Sequence, residues 1–91
     1  MVNTIGIILI SSMFINQILS NMKETYSIQD VISFITSLPF QKFRHPSFSD
    51  DEYIYGDGEG HLCDESGYQL PQGEFWNLRM NTMKDGWYMV D

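Results

Sequence analysis

Apolar positions recur along this chain with more than one rhythm, and each rhythm predicts an element. After Ser27, the residues Ile28, Val31, Ile32, Ile35 and Leu38 fall at helical spacing and make one stripe, with Phe34 at its margin. Ser27 is placed to cap the first free amides, and Asp30 stands three residues later, where a carboxylate complements the positive helix end. Pro39 disfavours helical geometry at Leu38, so the helix is expected to end near Ser37. From Phe40 to His45 the pattern changes to period two, with Gln41, Phe43 and His45 on one face and Phe40, Lys42 and Arg44 on the other. Pro46–Asp50 reads as a loop and Glu52–Tyr55 as a short strand, ended by the glycine-rich run Gly56–Gly60. His61–Asp64 and Tyr68–Leu70 flank Glu65-Ser66-Gly67 as a hairpin. Glu74–Met80 fits strand or helix, Asn81–Asp85 a helical turn, and Trp87–Val90 a last strand. The predicted fold is α+β: one amphipathic helix packed on a small antiparallel sheet.

The first 21 residues differ from the rest. They carry no charged side chain, and Ile5–Leu19 is mostly apolar, interrupted by Ser11, Ser12, Asn16 and Gln17. That run is shorter than the roughly 20 apolar residues of a membrane span. It also lacks the cationic start and small-residue cleavage site of a secretory signal. Ile8, Ser12, Ile15 and Leu19 share a helical face, so the segment is readable as a helix packing on the sheet or on another subunit. It is equally readable as an extension ahead of a start at Met22. The expected organisation is an apolar segment over 1–21 and a single domain over 22–91.

Size and charge then narrow the function. A chain of 91 residues holds one domain at most, with a marginal core. Cys63 is the only cysteine, so no internal disulfide can support that core. Homo-oligomerisation is the natural supplement, and the many aromatic side chains suit an interface. Twelve acids against five Lys and Arg give a net charge of −7, which disfavours DNA, RNA or anionic lipid as partners. Seven of the acids (Asp50, Asp51, Glu52, Asp57, Glu59, Asp64 and Glu65) fall in one stretch without a cation. That stretch is either a solvated sheet edge or a surface that competes with nucleic acid for a basic groove.

The chemistry points to binding. His45, His61 and Cys63 are three N or S donors where a structural zinc site wants four, and the acidic loop lacks the ligand order of an EF-hand. No motif sets a histidine base beside a serine or cysteine nucleophile. No catalysis, cofactor or metal is therefore expected. Arg44 and Lys42 share a strand face and Arg79 lies near Trp76; arginine offers a forked phosphate donor, and rings offer stacking surfaces. The alternative for these same residues is structural, with Trp76 and Trp87 in the core and Arg44 paired to a carboxylate.

Several short motifs carry a family resemblance. They are Ser27-Ile28-Gln29-Asp30-Val31-Ile32, Phe43-Arg44-His45-Pro46-Ser47-Phe48, Tyr53-Ile54-Tyr55, Asp64-Glu65-Ser66-Gly67 and Asp85-Gly86-Trp87-Tyr88-Met89-Val90. In this layout, from Ser27 to the end, the chain resembles the second type of Thoeris anti-defence proteins of phages. It departs from that pattern at Phe48, where the family usually has tryptophan, at His45, the second basic position, and at Ser49-Asp50, where Gly-Lys often follows. The resemblance implies a homo-oligomer that sequesters a cyclic nucleotide immune signal in the cytoplasm of an infected bacterium. For such a ligand the candidate residues of this sequence are Arg44 and Arg79 for phosphate contact and Phe48, Tyr53 and Trp76 for base stacking. The competing expectation is an acidic inhibitor that docks through Asp50–Glu65 on a host nuclease or CRISPR effector.

Overall fold

A computed structural model of the protein describes residues 24–91. The expectations for residues 1–21, and the boundary after them, lie outside the described residues. Helix α1 spans Ile28–Ser37, and its cap is the predicted one: the Asp30 amide donates to Ser27 Oγ at 3.1 Å. Ile28, Val31 and Ile35 of the stripe are buried. The helix closes with the Leu38 amide on the Phe34 carbonyl at 2.8 Å, and a turn over Leu38–Gln41 leads into the sheet.

Five strands follow: β1 Lys42–Arg44, β2 Ile54–Gly56, β3 Leu62–Asp64, β4 Gln69–Leu70 and β5 Tyr88–Val90. Every neighbouring pair is antiparallel, in the order β4-β3-β2-β1-β5. The long connection from β4 to β5 carries α2, Gln72–Asn77, which settles the ambiguous Glu74–Met80 stretch as mainly helical. Ahead of β5, Trp87 pairs with Tyr26 in an isolated bridge, which ties the start of α1 to the sheet edge. The predicted α+β fold therefore forms, as one sheet with two helices among the described residues. No described helix is long and apolar enough to cross a membrane.

Strand β1 is shorter at both ends than the alternation suggested. Phe40 is held in the preceding turn at φ 66°, and His45 faces the next turn, where Pro46 has no amide to donate to a ladder.

Register sorts the side chains into two faces. Phe43 stands opposite both Ile54 and Met89, and Leu62 opposite Leu70. These point to the side of α1 and α2, where they join Phe48, Phe75, Trp76, Met83 and Trp87 in one core. Gly56 is where α1 comes closest to the sheet: an added Cβ would stand 2.0 Å from the Ile35 carbonyl oxygen. By the same alternation Lys42, Arg44, Tyr53, Tyr55, Cys63 and Tyr88 share the opposite face.

Candidate ligand-binding face

The predicted site residues fall on both sides of the sheet. Phe48 and Trp76 lie in the core, where their rings meet Trp87 with centroids 5.3 and 5.9 Å away. A base could stack on either only if the core opened. Arg79 lies just after α2 and folds back on it. Its guanidinium lies 3.7 Å from the Phe75 ring centre, and Nη1 donates to the Phe75 carbonyl at 3.0 Å. The Arg79 Nε and Trp76 Nε1 donors are buried without a partner.

Arg44 and Tyr53 lie on the opposite face. Arg44 is occupied: Nε donates to the Tyr88 hydroxyl at 3.2 Å, Nη2 to the Ser49 carbonyl at 3.0 Å, and Nη1 to the Asp50 carbonyl. It holds the loop after β1 against β5 through backbone oxygens, so the expected carboxylate pair is replaced by a clamp on the chain. The five predicted residues are thus not brought together; Tyr53 keeps both its place on this face and a partly exposed ring.

What the structure does assemble there is a row of rings. The Phe40 and Tyr55 rings lie within 26° of parallel with centroids 6.3 Å apart, and Tyr55 and Tyr53 are 6.2 Å apart. Lys42 Nζ stands 4.8 Å from the Tyr53 ring centre, completing a cation-capped aromatic strip on an acidic protein. The alternation had set Phe40 and Lys42 on one face of their strand; that Tyr55 and Tyr53 line up beside them was not legible, because it depends on the pairing of β1 with β2 and on the turn that holds Phe40.

Tyr55 also covers Cys63, its partner across the β2–β3 ladder. Burial, with added contributions from the Cys63 thiol, Tyr53 and Asp57, pushes the Tyr55 phenol above its ordinary value. Burial likewise raises the Cys63 thiol, helped by Asp57 and Asp64 and opposed by its hydrogen bond with Tyr55. A buried thiol kept protonated is a poor nucleophile at neutral pH.

Much of the acidic stretch serves the turns. Asp57 Oδ1 accepts from the Glu59 and His61 amides at 2.8 and 3.1 Å, and Oδ2 meets His61 Nδ1 at 2.8 Å. Gly58 and Gly60, both at positive φ, bend the loop back far enough for this. Asp57, Glu59 and His61 thus bring donor atoms within 4.8 Å of one another, but those of Asp57 and His61 are engaged with each other. Asp64 Oδ1 likewise accepts from the Ser66 and Tyr68 amides, and Glu52 Oε1 from the Ser49 amide.

The Glu59 amide, followed by the His61 ring and amide, holds the Asp57 carboxyl below the ordinary carboxylate range; partial burial acts the other way. A carboxyl depressed in the folded state contributes stability above its unfolded value, about 3.9, and that contribution is lost as pH falls through the lower folded value. Thermal midpoints of the wild type and Asp57→Asn, followed from about pH 5 down to about pH 2, are therefore expected to converge in acid. Parallel curves would show that Asp57 carries no such linkage.

A cleft of about 400 Å³ lies elsewhere, between Glu24, Tyr26, Met89, Val90 and Asp91. Among the described residues its lining carries the Glu24 and Asp91 side-chain carboxylates and no cation, a poor match for an anion. None of the five predicted residues lines it. Comparison with protein-family models, with curated proteins and with solved structures gives no match.

Proposed function

We propose that this chain is a non-catalytic binding protein that takes a nucleotide on the aromatic face of its sheet, away from the helices. The observation that carries this is the ring row Phe40, Tyr55, Tyr53 with Lys42 Nζ over its last member. Rings stack on bases with little regard to sequence, at about 1–3 kcal/mol per base, and one ammonium answers one phosphate. The net charge of −7 opposes a long polyanion but leaves room for a small one beside a local cation. The resemblance to phage anti-defence proteins supplies the biological side of the proposal. The ligand is then a cyclic nucleotide immune signal, the protein a homo-oligomer, and its place the cytoplasm of the infected bacterium.

Native mass spectra with a panel of cyclic nucleotides, cyclic ADP-ribose isomers included, test this. A defined oligomer gaining whole-number ligand masses is the expected result. Tyr53→Ala and Lys42→Ala are each expected to weaken that binding by about tenfold while the fold is kept. If neither variant changes the affinity, this face is not the site.

A second function is favoured by the four carboxylates that the turns leave exposed: Asp50, Asp51, Glu59 and Glu65. With them the chain would dock on a basic host defence protein, and the association would weaken as salt screens it. A ligand-free monomer in the same spectra favours that function.

A further inference from the structure

Phe40 occupies a position whose backbone asks for glycine. Pro39 precedes it, its own φ is 66°, and the Gln41 amide closes onto the Leu38 carbonyl at 3.2 Å. This is the arrangement of a type II turn, with proline at the second position and a left-handed residue at the third. Glycine enters that region freely and asparagine tolerates it, whereas a bulky side chain there is a strained outlier. The ring gains little burial in return, being 65% exposed.

Its place is nevertheless well defined. The Phe40 amide donates to the Gly56 carbonyl at 2.8 Å, which pins the turn to the end of β2. Gly58 lies under the ring, close enough that a Cβ there would stand 3.5 Å from it. Tyr55 flanks the ring at 26° from parallel. The residue is thus fixed by backbone bonds that any side chain would allow, while the ring itself extends the aromatic strip by one member into solvent. Strained backbone of this kind is kept where function uses it.

We infer that Phe40 is a base-stacking residue. The left-handed turn after α1 presents its ring beside Tyr55, so that a nucleobase lying on the sheet face stacks against it. This rests on the nucleotide-binding function proposed above and adds a residue to which the alternation gave a face but no role, and which was not among the five candidate site residues. The fold does not need the ring, so its removal separates binding from stability.

The 2-aminopurine analogue of 3′,5′-cyclic AMP is a suitable probe, because stacking quenches its fluorescence and so distinguishes a ring contact from binding in general. Wild-type protein is expected to quench it saturably. Phe40→Gly is expected to weaken that binding by about tenfold, the effect of one lost stacking partner. Its Tm should hold or rise, since glycine relieves the turn. Phe40→Tyr should bind as the wild type does. Equal quenching by wild type and Phe40→Gly overturns the inference, and so does a Phe40→Gly midpoint several degrees lower, which would make the ring a structural element. If the wild type fails to quench the probe but binds a member of the cyclic nucleotide panel in a Tyr53-dependent way, only the role of Phe40 falls. If it does neither, the nucleotide-binding function falls with it.

Discussion

Gly56→Ala is expected to lower the thermal midpoint by about 12 °C or more, the equivalent of about 3 kcal/mol in a domain of this size. The cause is steric. An alanine Cβ would stand 2.0 Å from the Ile35 carbonyl oxygen, 2.9 Å from its carbonyl carbon and 3.1 Å from its Cγ2. The two nearest atoms are helix backbone, which cannot rotate aside as a side-chain tip can. Relief requires α1 to lift off β2, and that withdraws Val31 and Ile35 from the core. Overpacking a well-packed site costs about 1–3 kcal/mol, and more where backbone must move. Gly56 is not at positive φ, so the loss would come from the helix–sheet contact and not from the alanine's backbone preference. Thermal unfolding followed by circular dichroism decides it; a midpoint within about 2 °C of the wild type would mean that the helix does not lie this close to the sheet.

Trp87→Ala is the other large effect, expected to cost about 3–5 kcal/mol. Small domains are stable by about 5–15 kcal/mol, so much of the margin would go. Trp87 is fully buried where the segment leading into α1 meets the one leading into β5, and it pairs there with Tyr26. Its ring meets His45 at 5.1 Å, as well as Phe48 and Trp76, and its Nε1 donates to the Met83 carbonyl at 2.7 Å. Alanine would leave a cavity and an acceptor without its donor. The His45 ring packed against it is also fixed at both nitrogens. The Ser47 amide donates to Nδ1 at 3.0 Å, so Nε2 carries the proton and donates to the Asp85 carbonyl at 2.8 Å. A gap beside that ring would loosen two turns at once. Trp87→Phe keeps most of the ring volume, and its cost should be markedly smaller. Urea titration of both variants is the check: equal losses would mean that the hydrogen bond, which both lack, and not the packing accounts for the effect.

Much of the fold was legible because its signals are local. Ser27 and Asp30 mark a helix start within four residues, the apolar stripe marks the buried face, and Pro39 marks the stop. Glu65-Ser66-Gly67 marks a hairpin through the positive φ that Gly67 adopts. The site was less legible. Arg44 and Arg79 carry the same charge in the sequence, yet one clamps a loop to β5 and the other lies on Phe75. Phe48 and Trp76 are as aromatic as Tyr53, but they fall on the core side of the sheet. Asp57 lies in an acidic run, and its partners become clear only once Gly58 and Gly60 have folded the loop back onto it.

The sequence by itself determined the α+β class, the capped amphipathic helix, the β3–β4 hairpin and the acidic charge, because neighbouring residues impose each of these through backbone sterics, periodicity and composition. The tertiary structure alone decided the strand order, the close approach at Gly56, the burial of Phe48 and Trp76, and the strip that Phe40 makes with Tyr55, Tyr53 and Lys42. These depend on which residues stand opposite one another across the ladder and on where a turn sends a ring. Such pairings arise between segments far apart in the chain, so no short stretch of sequence contains them.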